Sequence, residues 1–407
     1  MTKKSTINHI PVGNGDMTLI KIASNDRYHY VLIDMHIRKN SEPDDDKCDA
    51  LMALHEMLEK DVEGRPYLDA LVLTHPDEDH IRGFEDHFHR GVPGAYVAPK
   101  KGERGKIFVR EIWSSPMIMR RKKKNESLCT DAAAFKTEAK RRVELFRANK
   151  TIGQQGDRVR LIGKDEGGKT DDIMDIVYQN EDVIDKINEA FIKELSALVL
   201  GPLTDDEFED GTSPDKNRSS IIMQWGLASH GYTEPSNYIL LAGDAGVEVW
   251  DLMWGKYKND TSKLKYDILL APHHCSWHTL SHDSIKDSDS PQVSKSAKSA
   301  LSEARPGAII ASSSDEIKNN KNDPPNYKAM KEYESIVNEV DGKFQCLADY
   351  KPSGGKTPEV LTYKLTKNGP QEETKASSAS SSVGKEAART AATGTLFTGA
   401  GNAIGHG

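Results

Sequence analysis

Residues 68–80 read LDALVLTHPDEDH: an apolar run of strand character, then two histidines and three carboxylates within positions 75–80. That much charge cannot be buried unpaired, because isolated carboxylates are costly to remove from water. His75, Asp77, Asp79 and His80 form the pattern H-x-D-x-D-H at the C-terminal end of the predicted strand. In a turn, residues two apart can converge on one side while their neighbours point away. Asp79 and His80 then open the next helix and can face a second point. The pattern suits two metal ions, since zinc, manganese and iron accept imidazole and carboxylate ligands. Taken alone, it fits a charged helix N-terminus matched to the helix dipole equally well.

Two further strand ends decide between these readings. Asp244 closes the apolar strand of YILLAGDAG (238–246), and His273 with His274 closes that of DILLAPHHCS (267–276). Three strands thus deliver Asp and His at their C-terminal ends, and the conjunction selects the metal reading.

Strands alternate with helices along the rest of the chain. STINHIPVGNGDMTLIKI (5–22) reads as strand, glycine turn and strand, and YHYVLIDMHI (28–37) as a strand with Asp34 near its end. AYVAPK, KIFVREIW, RVRLIG, SSIIMQW and GAIIASSS are further predicted strands. The spacing predicts helices over 48–62, 81–90, 130–150, 182–199, 246–257 and 326–337. This pattern indicates a layered α/β or α+β core over residues 1–366. Residues 367–407 are rich in Ser, Ala, Gly and Thr and read as a low-complexity, disordered tail.

The chain has 407 residues, 36% hydrophobic and 29% charged, an ordinary soluble composition. No run approaches the roughly 18–20 apolar residues of a membrane helix, and the start lacks a signal-peptide core. A cytoplasmic protein with no membrane partner is expected. The four cysteines are scattered without CxxC spacing, which excludes a disulfide framework or a zinc ribbon.

The segments IPVGNGDMTLI, YVLIDM, REIWSSP, GDRVRLIG, LLAGDAG and PHHCS stand in one order with the H-x-D-x-D-H motif. Asn217 and Ser220 in KNRSSIIMQW add an Asn-x-x-Ser pair. As a set, over about residues 5–350, these resemble the metallo-β-lactamase superfamily and, within it, the metallohydrolase domain of ComEC-like DNA-uptake competence proteins. The resemblance implies an αββα sandwich with its metal site along one edge of the sheets. It implies that His75 and Asp77 serve one metal, Asp79 and His80 the other, and that Asp244 bridges them. One of His273 and His274 completes the second metal, and the other orients substrate or donates a proton. Asn217 and Ser220 are implied at the substrate side. Cys275 replaces the glycine common after the two histidines, and Asp323 in NDPPNY stands where a histidine is expected. His230, His278 and His282 are the histidines able to compensate.

Two divalent ions, zinc or manganese, imply a hydrolase using an activated hydroxide, with Asp79 and His274 as catalytic groups. Residues 101–150 hold 15 Lys and Arg against 6 Asp and Glu, a net of +9 in a chain whose total is −8. They open a basic, partly helical insertion expected over about 101–205. Its densest part, Arg120, Arg121, Lys122, Lys123 and Lys124, suits a polyphosphate backbone. Three functions stay open: a nuclease or nucleic-acid phosphodiesterase, a hydrolase of a small phosphodiester such as a signalling nucleotide, and a binding module without turnover.

Overall fold

The computed structural model describes residues 3–39, 46–115, 127–165, 167–204, 217–288 and 290–373. Two large mixed sheets face each other. The first has nine strands in the order Gly369–Glu372, Leu361–Thr366, Thr6–His9, Thr18–Ser24, Arg27–Ile33, Tyr67–Val72, Phe108–Ser114, Arg158–Ile162 and Val177–Tyr178. The second has seven: Lys343–Cys346, Ala304–Ser312, Tyr266–Leu270, Asn237–Leu241, Ile222–Leu227, Leu195–Gly201 and Val183–Ile184.

Burial explains why the central strands read as unbroken apolar runs. In Tyr67–Val72 every residue is buried, but alternate side chains serve different layers. Ala70 and Val72 face the core between the sheets, while Tyr67 and Leu71 pack under the outer helices. Tyr266–Leu270 divides likewise, with Ile268 and Leu270 inward and Leu269 outward. A strand covered on both faces has no polar side to show. The inter-sheet core is locked by Trp113 of the first sheet stacked on Trp225 of the second, ring centroids 5.9 Å apart.

Helices Ala50–Met57 and Thr130–Asn149 cover the outside of the first sheet, and Val247–Tyr257, Lys295–Leu301 and Tyr327–Asn338 the outside of the second. The expected helix–sheet–sheet–helix layering is thus present. The long helix is tied down by Arg142, fully buried, which bonds Glu138 at 2.8 Å and the carbonyls of Arg158 and Val109. Among the described residues, no helix is long and apolar enough to cross a membrane.

Several local expectations are corrected. Residues 182–199 form strands Val183–Ile184, Lys186–Ile187, Ala190–Phe191 and the start of Leu195–Gly201, not a helix. Asn188 and Glu189 both have positive φ (52° and 64°) between paired strands, the two-residue hairpin turn that breaks the helical spacing. Gly83, at φ 93°, splits 81–90 into helical turns Glu78–Ile81 and Phe84–His87. AYVAPK holds only the end of a 3₁₀ turn, Pro93–Ala95. The stretch 101–205 supplies Phe108–Ser114 and Arg158–Ile162 to the first sheet and Leu195–Gly201 to the second. Within the expected tail, Gly369–Glu372 pairs with Leu361–Thr366 as an edge hairpin, and residues 374–407 lie outside the described residues.

Two predictions follow from these layers. Deleting residues 374–407 leaves the melting temperature within about 2 °C. Ending the chain at Thr366 removes the edge strand with its Lys343–Glu372 ion pair and lowers the melting temperature by more than that, since ~1 kcal/mol shifts a larger domain by about 2–4 °C. Scanning calorimetry of the two truncations checks it.

The second concerns acid. His9 is fully buried, bonded through Nδ1 to Thr18 Oγ1 at 2.9 Å with no partner for Nε2. Burial pushes its imidazole down to about 4, against the opposing charge of Asp16. A histidine depressed in the folded state binds its proton more readily when unfolded. Its contribution is therefore complete above the ordinary value of 6.5 and falls as pH drops from there to about 4. His9→Gln should flatten that acid limb by up to one proton, about 1.4 kcal/mol per pH unit. An unchanged slope in denaturant titrations across the window would overturn this.

Candidate metal centre

The parallel strands of both sheets end on one edge, and there the two sheets touch. Ile221 N donates to Thr74 O at 3.0 Å. Gly243, at φ 49°, lies so close to Thr74 that a Cβ on it would stand 2.7 Å from the Thr74 hydroxyl. Only glycine lets the Asp244 turn of the second sheet settle against the His75 turn of the first.

The Asp34 carboxylate organises the first sheet's side of the edge. At φ 54°, Asp34 turns back after its strand, its N–H donating to Val72 O at 2.9 Å. Its Oδ1 accepts Thr74 N–H at 2.7 Å, and its Oδ2 accepts both the Thr74 hydroxyl and His80 Nδ1, the latter at 2.8 Å. Asp16 arrives on the glycine turn, its N–H donating to Asp79 O at 3.2 Å. A Cβ on Gly15 would meet His36 Nδ1 at 2.3 Å and Asp79 O at 2.7 Å, so the turn can dock only without one.

The seven candidate ligands read from the sequence, His75, Asp77, Asp79, His80, Asp244, His273 and His274, lie together at this edge. Asp244 is buried, and each of its oxygens faces two imidazoles. Oδ2 lies 3.3 Å from His75 Nε2 and 3.6 Å from His273 Nε2. Oδ1 lies 3.0 Å from His80 Nε2 and 3.6 Å from His274 Nε2. Asp79 Oδ2 is 3.2 Å from His274 Nε2, and Asp77 Oδ2 is 3.9 Å from His75 Nε2. One ligand atom from each of Asp79, His80, Asp244 and His274 lies within 4.8 Å of the others.

The electrostatics show a site that demands positive charge. Burial alone would raise the Asp244 carboxyl, but the four imidazoles, led by His80 and His75, hold it well below the carboxylate range. Burial is likewise overruled at Asp79 by the His274 hydrogen bond and the His80 charge. His80 is raised well above its ordinary value although burial opposes it, because Asp244 and Asp34 flank it. His274 is raised to about 10 against burial by Asp244, Asp16 and Asp79. His273, more open, is lowered by burial against the opposing charges of Asp244 and Asp323. Protons on imidazole meet this demand, and a divalent cation meets it through the same nitrogens. Among the described residues, the fully buried His75 Nε2 has no hydrogen-bond partner. The donor set therefore fits a metal ion, and the His/Asp cluster can hold one.

The other predicted residues are placed as follows. Ser220 is buried behind Asp244, its hydroxyl accepting the Asp244 N–H at 3.2 Å, and Asn217 opens the 3₁₀ turn before it. Arg120, Arg121, Lys122, Lys123 and Lys124 lie outside the described residues. Asp323 accepts from Ser276 Oγ at 2.8 Å and Trp277 N at 2.9 Å, pinning the loop after the histidines. His278 is half exposed, 3.7 Å from Asp323, and His282 bonds Asp251. His230 sits on the turn after Ile222–Leu227. Asp16 escaped the sequence reading as a site residue, because GNGD looks like an ordinary turn.

No protein-family model and no curated protein matches the chain. Among solved structures, unliganded yeast PDE1 is similar at a TM-score of 0.39 and 11% identity, covering 84% of this chain and 97% of that one. A protein of unknown function from Enterococcus faecalis V583 is similar at a TM-score of 0.28 and 11% identity, covering 83% and 68%. Likeness at this level carries no chemistry from either protein to this chain.

His273, His274 and Cys275 have consecutive positive φ of 51°, 53° and 66°. Each costs about 1–2 kcal/mol for an L-residue with a side chain. The thiol of Cys275 is buried in the outer core, 3.9 Å from Asn326 O, and burial pushes it well above its usual range, so it packs rather than ligates. Cys275→Gly should relieve the backbone while losing the thiol's contacts, a net change within about 1 kcal/mol. Cys275→Val should destabilise by about 2–3 kcal/mol, because a β-branched residue tolerates this φ worst. Equal stabilities of the two variants in urea titrations would show that the turn is unstrained.

Proposed function

We propose that the chain is a metal-dependent phosphodiester hydrolase, with a nucleic-acid backbone as its leading substrate. The observation that carries this reading is the division of Asp244, whose two oxygens each face a separate pair of imidazoles. A carboxylate so placed could serve two cations, one that His75, Asp77 and His273 would hold and one that Asp79, His80 and His274 would hold. Zinc or manganese there would supply Lewis acidity toward a phosphoryl oxygen and lower the pKa of water to about 7. Asp79, with a third of its side chain exposed, is the carboxylate placed to orient the attacking water. His274 bonds Asp79, and His273 is the most open imidazole of the four, the one a substrate could reach.

Support for a polynucleotide comes from the run Arg120–Lys124. It follows in sequence from Phe108–Ser114, whose carboxyl end lies beside His75, Leu73 N donating to Trp113 O at 3.1 Å. The small-phosphodiester reading is favoured by a different observation. Other cations of the same stretch are committed to carboxylates: Arg141 to Glu138 and Asp157, Arg142 to Glu138, and Arg147 to Asp172.

Purified protein is expected to take up to two equivalents of zinc or manganese by elemental analysis. Asp79→Ala and Asp244→Ala should each lose more than about 100-fold in hydrolysis of a generic phosphodiester while remaining folded. Neutralising residues 120–124 together should weaken polynucleotide binding and its salt dependence, by roughly 0.7–0.9 in the log–log slope per lost contact. Hydrolysis of a small phosphodiester should survive that change. Near-normal turnover by either alanine variant would refute the site, and polynucleotide cleavage indifferent to the charge change would shift the substrate to the small class.

A further inference from the structure

Each imidazole that faces Asp244 through Nε2 has a second nitrogen, and its surroundings differ between the two sides. His80 Nδ1 donates to the Asp34 carboxylate at 2.8 Å. His274 Nδ1 lies 3.1 Å from the Ser313 carbonyl and 3.3 Å from Asp16 Oδ1. That oxygen is buried and otherwise unbonded, an anion held beside the ring. Both rings are therefore fixed with Nε2 toward Asp244, and both have a carboxylate behind them.

On the other side, among the described residues, His75 Nδ1 meets only the Thr74 hydroxyl, at 3.2 Å. The proton of that hydroxyl is committed to Asp34, so it can only accept, as a neutral group. Asp77 stands 3.9 Å from His75 Nε2, and a fifth of the His273 side chain is exposed. Asp79, His80, Asp244 and His274 form a compact donor group, whereas among the described residues no such group forms around His75, Asp77 and His273.

Resting on the reading above, we infer that the two cation positions are unequal. The Asp79–His80–His274 side holds a resident divalent ion, and the His75–Asp77–His273 side binds its ion weakly and exchanges it with solution. A carboxylate behind a ligating histidine strengthens metal binding by about 10–100-fold, and only the first side has two of them. Occupancy of the second side, and turnover with it, then follows the free metal concentration. Asp16 is the positioning residue that maintains the difference.

Calorimetric titration of chelator-stripped protein with Zn²⁺ tests this without relying on activity. Two steps are expected, at least about tenfold apart in Kd, with one equivalent surviving gel filtration. His75→Gln should remove the weak step alone, and Asp16→Asn should weaken the tight step about tenfold while sparing the weak one. Two steps of equal affinity in the wild-type protein overturn the inference whatever the variants do, as does loss of the tight step in His75→Gln. Absence of any zinc uptake by folded protein would instead overturn the metal reading itself.

Discussion

Three hydrogen bonds converge on the Asp34 carboxylate, from the Thr74 amide, the Thr74 hydroxyl and His80 Nδ1. Through them one buried anion fixes the turn after the central strand of the first sheet, the rotamer of Thr74 and the orientation of an imidazole. Thr74 in turn is the surface on which the second sheet rests, through Ile221 and Gly243. The relative position of His75, His80 and Asp244 is therefore set by the packing of two sheets, not by loops that could drift independently. A site on rigid strand ends keeps its donors within fractions of an ångström, which metal binding requires.

The same edge gathers Asp16, Asp34, Asp79 and Asp244, all except Asp79 buried. Four carboxylates so close would repel one another if nothing positive lay among them. His80 and His274 lie among them, and these carboxylates push both imidazoles up against burial. The cluster is thus balanced in two ways, by protons or by cations, and the fold tolerates either because the imidazoles are common to both.

Much of this was legible in the sequence because metal chemistry compresses into short motifs at strand ends. HPDEDH, GD and PHH each follow an apolar run, and strands buried on both faces leave no doubt where the run stops. The helix–sheet–sheet–helix layering could be read from the alternation of elements. The hairpin at Asn188–Glu189 could not, since Ile184, Ile187 and Leu195 carry spacing that serves a helix as well as a folded strand pair. The break at Gly83 was likewise hidden by apolar residues on either side. Asp16 was missed because its partners, His80 and His274, lie 64 and 258 positions away. Nothing local distinguishes such a residue from any aspartate in a glycine turn.

The cluster draws its donors and their supports from Asp16 to Ser313, across both sheets. A nascent chain emerging from its N-terminus carries the H-x-D-x-D-H segment long before Asp244 or the paired histidines exist. Until the strand Ala304–Ser312 has joined the second sheet, there is no Ser313 carbonyl to orient His274 and no closed edge for the ligands to share. Contacts of such long sequence separation form late in folding. Any capture of a cation by this cluster is consequently a property of the finished molecule alone, and fragments released by premature termination or proteolysis would lack the assembled donor set.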